Sequence, residues 1–339
     1  MNKEQTGMKV TTSIRHIKNQ SAVKEFILVG LTNSPELQML LFWLFTFIYA
    51  IALLVNFLLI LTIYSCKNLH TPMYFLLINL SFVNMLSISA TTPKMLQNLL
   101  THRKTISFCG CMTQVYFLIL ALGAEFGLLC VMAFDRYTAI CHPLQYTIIM
   151  RKEVCIVTAS GAWVFGIVNS AVHSGLLLQL SFCNSNIIDH FYCDLPPLLK
   201  LSCSNASLNE LMATIADAVT GGGSCVWILA SYCFILRAIF RIRSTEGKKK
   251  AFSTCSSHLI VVSLYFSIVI YMYTRPPSVS SLNQDKVVSL FYSVLTPVLN
   301  PLIYTLRNKD FKEALRKLLG TSRLLQRPQD CSFVMSRIK

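Results

Sequence analysis

Seven long apolar stretches, each closed by a short polar interruption, organise the chain at roughly 37–64, 73–100, 107–135, 154–180, 208–236, 252–273 and 285–306. A helix needs about 20 largely apolar residues to cross the hydrocarbon layer of a bilayer, and every stretch meets that length. Inside lipid a backbone must satisfy its own hydrogen bonds, so each stretch is expected to be helical. The pattern predicts an all-α membrane protein, a seven-transmembrane helix bundle. Packing and interhelical hydrogen bonds hold such a bundle, because lipid is as apolar as the helices. Beyond the last stretch, Phe311, Leu315, Leu318 and Leu319 share one helical face and most bases lie elsewhere. That predicts a short amphipathic helix on the membrane surface. The expected divisions are 1–36 (an extracellular segment), 37–306 (the bundle), 307–319 (the surface helix) and 320–339 (a disordered cytoplasmic tail). Residues 1–36 hold no apolar core of signal-peptide type, so the first stretch is expected to serve as its own targeting signal. Met1 and Met8 are both possible starts.

Composition agrees with the pattern. Hydrophobic residues make up 54% of the 339 and charged residues 13%, against about a quarter charged in soluble domains. A pair of soluble domains is thereby excluded. The formal charge of +15 would suit nucleic acid, but its distribution points to a membrane. Most lysines and arginines fall in alternate gaps and at the C-terminal end: Lys67, Arg136, Arg151 and Lys152, the segment Arg237 to Lys250, and Arg307 onward. Such asymmetry places those gaps in the cytoplasm, the N-terminus outside and the C-terminus inside. The expected location is the plasma membrane, with Lys248 to Lys250 meeting anionic headgroups or a cytosolic partner.

Of the 13 cysteines, Cys111, Cys183, Cys193 and Cys203 fall on the expected outer side. Two bridges are expected there, but four cysteines allow three pairings and Cys109 competes with Cys111. No paired short spacing suggests a metal site. Asn19-Gln20-Ser21 is a glycosylation sequon in the outer segment, Asn205 heads a second, and Asn79 heads a third inside a span.

Ionisable and polar residues inside apolar stretches are costly and mark function or interhelical bonding. Asn56, Asn84, Glu125, Asp217, Ser293 and Asn300 are of this kind, and Asp135-Arg136 ends the third stretch. Pro301 removes a backbone bond and predicts a kink, with Tyr304 about one turn beyond. Gly221-Gly222-Gly223 is expected to loosen the fifth helix locally. No phosphate-cradling loop, zinc-helix motif or nucleophile elbow is present, so neither an enzyme nor a cofactor is expected. The absence of an internal repeat argues against a transporter.

Five stretches then carry a resemblance. Leu69-His-Thr-Pro-Met-Tyr-Phe75, Met132 through Leu144, Ser231-Tyr232, Lys250 through Leu259 and Pro297 through Asn308 resemble the olfactory receptors of the rhodopsin-like, G-protein-coupled class, in family order. The loop from Phe182 to Cys203 matches as well. The resemblance implies bridges Cys111–Cys193 and Cys183–Cys203. It implies a switch made of Asp135, Arg136, Tyr232, Asn300, Pro301 and Tyr304, and a G-protein groove rimmed by Tyr137, Ile140, His142 and Pro143. It implies a ligand site in the outer half lined by Leu118, Ile119, Leu122, Gly123, Ala213, Asp217, Thr220, Phe266, Ile270 and Tyr273. The implied partners are a small volatile odorant and a heterotrimeric G protein of the stimulatory olfactory type that raises cyclic AMP. A receptor of the same fold for a non-volatile metabolite outside the olfactory epithelium is the alternative. The chain departs from the family where Asn84 replaces an Asp, which leaves Glu125 a weakened sodium site at most. It departs again where Tyr265-Phe266-Ser267 replaces Phe-Tyr-Gly.

Overall fold

The computed structural model describes residues 23–183, 185–274, 282–306 and 308–318. Seven helices in it are long and apolar enough to span a membrane: Pro35–Ser65, Pro72–Leu100, Phe108–Cys141, Lys152–Leu178, Ser207–Arg241, Thr245–Ile268 and Lys286–Thr305. They are called the first to seventh spans below. The chain is a seven-helix membrane bundle with a C-terminal helix, Lys309–Leu318. The Asn19 sequon, both candidate start residues and the tail 320–339 lie outside the described residues.

Several helices outrun their apolar stretches. The third has 34 residues, so at about 1.5 Å per residue it measures about 51 Å against a hydrocarbon layer of about 30 Å. Its last turns, past Asp135, are helical without being apolar. The sixth helix begins at Thr245, two polar turns before its apolar stretch. Prolines open the first and second spans, where a missing N–H costs nothing. Ser107 caps the third, its hydroxyl accepting from the Gly110 amide at 3.1 Å.

Large apolar side chains cover the outside. Trp43, Phe47, Val157, Val226 and Phe240 are exposed, as acyl-chain contact requires. The interior is held differently. The third and fourth spans meet along small residues, so close that a Cβ on Gly166 would lie 2.5 Å from the Leu120 carbonyl. One on Gly127 would lie 2.8 Å from the Ala162 Cβ. Small residues of this kind let backbones approach where burial from water offers no gain. Asn79, the in-span sequon, accepts from the Trp163 indole at 3.1 Å and so joins the second span to the fourth. The triple glycine lies in a six-residue π-helical segment, Ala218–Gly223, within the fifth span.

One end of the bundle carries a small sheet absent from the sequence reading. Strand β1 (Glu25–Leu28) pairs antiparallel with β2 (Thr105–Ser107) and parallel with β3 (Ile187–Ile188). Phe26 and Leu28 are fully buried beneath it. Gly30, at φ 80°, then turns the chain toward the first span. Both described disulfides lie at this end: Cys111–Cys193 and Cys183–Cys203. Asp135 and Arg136 lie at the opposite end.

Candidate functional site

Asp135 and Arg136 are buried, at 0% and 6% exposure. The guanidinium donates through Nε to Asp135 Oδ2 at 2.9 Å, and a terminal nitrogen contacts the same oxygen. Its other terminal nitrogen reaches the Thr254 carbonyl of the sixth helix at 3.4 Å. The second carboxylate oxygen accepts from the Tyr146 hydroxyl at 2.7 Å. Tyr146 belongs to a one-turn helix, Tyr146–Ile149, between the third and fourth spans. Burial, and next the Asp135 carboxylate, push the Tyr146 phenol up, so it stays a donor. Desolvation offsets much of the attraction in a buried ion pair, whereas stranding one partner costs about 3–5 kcal/mol. Such a pair adds little stability but separates sharply into made and broken states.

The fifth and sixth spans are tied nearby. His258 Nε2 lies 3.1 Å from the Leu129 carbonyl, which can only accept, so that nitrogen carries the proton. In the neutral ring Nδ1 then accepts from the Tyr232 hydroxyl at 2.8 Å. Tyr232 shares its proton with the Cys255 carbonyl at 3.1 Å. The two rings lie nearly parallel with centroids 5.8 Å apart. Ser257 donates to the Ile303 carbonyl of the seventh span at 3.1 Å. Tyr304 is buried, and among the described residues its hydroxyl has no partner.

A polar network crosses the middle of the bundle, and Pro301 explains its shape. Pro301 has no N–H to give to the carbonyl four residues back, Pro297. Asn56 of the first span supplies the missing donor, with Nδ2 2.9 Å from the Pro297 carbonyl. Asn56 Oδ1 accepts from Asn84 at 3.2 Å, and Asn84 Oδ1 accepts from Asn300 at 3.1 Å. Asn300 Nδ2 also lies 3.1 Å from Glu125 Oε1 and 2.9 Å from the Tyr265 oxygen. Tyr265 donates to the same carboxyl oxygen of Glu125. The hydroxyl displaced by the Tyr265-Phe266 order thus points into this network, and Phe266 packs on Phe126 instead. Five helices meet here around one carboxyl group. Glu125 is the only ionisable carboxyl in this network, beside the neutral side chains of Asn56, Asn84, Asn300 and Tyr265, and no cluster of three or more His, Cys, Asp or Glu forms among the described residues.

The disulfide end is strapped shut. The amide of Cys193 donates to Gln114 Oε1 at 2.8 Å, and Gln114 Nε2 donates to the Ala90 carbonyl at 2.8 Å. Lys286 of the seventh span pairs with Asp189 at 2.6 Å. His190 Nε2 lies 3.2 Å from the Ser289 hydroxyl, and its ring stacks on Phe191. Burial lowers the proton affinity of His190, and Asp194 partly opposes that.

The residues expected to line the ligand site divide. Leu118 packs with Phe191, Tyr192 and Val294 beneath the strapped loop. Ile119 borders the cluster around Cys193, while Leu122 and Phe266 belong to the central cluster. Thr220 is buried and donates to the Ala216 carbonyl at 2.7 Å, and Ala213 is half-buried. Gly123 lies against Gly166 of the fourth span, where a Cβ would meet its Cα at 3.0 Å. That position lets the third and fourth spans approach closely. Asp217 is exposed on the fifth span, on the turn before the π-helical segment. The side chains of Ile270 and Tyr273 lie outside the described residues. Tyr146, Gln114, Lys286 and the Asn56–Pro297 bond were absent from the sequence reading. Only the last had a usable signal, an Asn in one stretch and a proline in another.

Known proteins match most of the chain. The family model described as olfactory receptor matches residues 45–322. Human olfactory receptor 13G1 is 46% identical over 302 residues, covering 89% of this chain and 98% of that protein. Human olfactory receptor 5F1 is 48% identical over 306 residues, with 90% and 98% covered. The chicken olfactory receptor-like protein COR4 is 50% identical over 297 residues, with 88% and 95% covered.

Proposed function

The chain belongs to the olfactory receptor family, and from that membership we propose that it binds a small, mostly apolar volatile in the outer half of the bundle and activates a stimulatory olfactory-type G protein, raising cyclic AMP. At the coarser level its role is that of an odorant receptor coupled to a G protein, a multi-pass membrane protein and not an enzyme. The disulfide end is the extracellular end in this reading, and the Asp135–Arg136 end is cytoplasmic. The distribution of basic residues supports that orientation.

The observation that carries the mechanism is the ion pair, whose acid is held by Tyr146 and whose base reaches the Thr254 carbonyl of the sixth helix. An odorant bound among Leu118, Ile119, Leu122, Thr220 and Phe266 moves the equilibrium only by its differential affinity for the two shapes. A shape with the sixth helix displaced outward loses the Thr254 contact and frees Arg136 for the G protein. Tyr232, Asn300, Pro301 and Tyr304 form the rest of the switch. Among the described residues the Tyr304 hydroxyl has no partner; a buried unpaired hydroxyl costs about 1–3 kcal/mol, which a move toward a partner relieves.

The test is a volatile panel on cells expressing the receptor with an accessory chaperone, read as cyclic AMP. Dose-dependent responses that vanish in Arg136→Ala at equal surface density are expected. Ligand-evoked current without a G protein, and no cyclic AMP, would overturn the reading. A response confined to non-volatile metabolites would replace the ligand class while keeping the coupling.

A further inference from the structure

A cavity of about 700 Å³ opens beside the ion pair, between the inner ends of the first, second and fourth spans. That volume is within the range of about 300–1,000 Å³ usual for small-molecule sites. Its floor is apolar and buried: Ile63, Leu69 and Met150. Phe75 and Ile78 line one wall. Ile156 lines the cavity and is also 43% exposed on the outer face of the bundle, so the cavity communicates with the surface that acyl chains cover.

The mouth is cationic. Arg151 and Lys152 are exposed there beside a single acid, Glu153, and His70 adds a further polar group. Arg151 leans on Glu153 at 3.8 Å, with both side chains largely in solvent. Lys152 has no ion-pair partner among the described residues. Two helix starts converge on the same mouth. Thr71 precedes the second span and Arg151 the fourth, and neither supplies a side-chain cap. Their first-turn amides add partial positive charge and free donors. Tyr146, which holds Asp135, lines the cavity as well.

We propose that this cavity binds an anionic inner-leaflet phospholipid, its phosphate at Lys152 and the two helix starts and an acyl chain leaving past Ile156. An apolar cleft open to the bilayer with a cationic mouth at headgroup depth matches that chemistry. A soluble anion would leave the apolar floor unused. The proposal rests on the cytoplasmic placement of this end. A nanodisc exposes both faces, so lipid binding there is measured whichever way the protein threads the membrane, and tag accessibility in intact cells tests the threading separately.

The experiment uses the full-length receptor in phosphatidylcholine nanodiscs, titrated with a fluorescent phosphatidylinositol bisphosphate. Each basic residue at an anionic surface is worth roughly fivefold in affinity, so Arg151→Gln with Lys152→Gln is expected to weaken binding about 25-fold. Lys248→Gln with Lys249→Gln, equally basic but distant from the cavity, is expected to change it less than about twofold. Inorganic phosphate at millimolar concentration should not displace the lipid. Equal affinity in the two double variants, displacement by inorganic phosphate, or equal binding of a fluorescent phosphatidylcholine would each overturn the proposal.

Discussion

Tyr146→Phe isolates the weight of one bond on the resting equilibrium. The substitution removes a hydroxyl that donates to Asp135 Oδ1 at 2.7 Å and leaves the ring in place. A hydrogen bond to a charged group contributes about 1.5–3 kcal/mol. Taking about 2 kcal/mol, and tenfold for each 1.4 kcal/mol, the loss shifts the constant between resting and active shapes by roughly 30-fold. A receptor resting at about 1% active, inside the usual span for a minor state, would move to about 20–25% active. The readout is ligand-free cyclic AMP per surface receptor, with Tyr64→Phe as the control, since Tyr64 is 72% exposed on the first span. Unchanged basal signal in Tyr146→Phe at equal surface density would refute the reasoning, because the Asp135 carboxylate would then not bias the equilibrium through this contact.

Asn56→Ala strands the Pro297 carbonyl and one Asn84 donor, so a stability loss of about 1–3 kcal/mol is expected. It would be read as a lower melting temperature in detergent, and an unshifted melt would remove Asn56 as the stand-in for the proline's missing N–H. Gly166→Leu should abolish surface receptor, because its Cβ would lie 2.5 Å from a backbone carbonyl, whereas Gly161→Ala, with nothing within 4 Å, should be tolerated. Flow cytometry of a tagged receptor separates the two. His190 prefers its neutral form in the folded loop, where burial and Lys286 oppose protonation and Asp194 and Asp189 favour it. Its contribution should be complete above about pH 6.5 and decline as pH falls below that value. Melting temperature against pH checks this, and His190→Gln should flatten the profile.

The spans were legible because lipid imposes one rule on every residue of a stretch. The ends of the helices were not, since apolarity reports the bilayer while backbone bonding continues past it, as in the third helix beyond Asp135. The polar residues Asn56, Asn84, Glu125 and Asn300 could be read as an interior set from their cost in lipid alone. Their partners could not, because the proline carbonyl that orients Asn56 lies 241 residues away. The ligand face was read from family position. Burial and packing alone do not separate a pocket wall from a helix contact: Leu118 and Phe266 are buried, Gly123 lies against Gly166 of the fourth span, and Asp217 is exposed. Strand β1 escaped because four residues of alternation, Glu25 to Leu28, give too short a signal beside a 31-residue helix.

The cap sheet also dictates an order of birth. Ile27 needs Ile187 as a neighbour, about 160 residues later in the chain, which at ribosomal speed is roughly 10–30 s. Through that interval four helices enter the membrane while the edge of the first strand that β3 covers stays bare, even after β2 has been made, the condition in which stray pairing begins. An escort that shields this segment early, before the fourth helix has been made, would therefore raise yield more than one acting on the finished bundle.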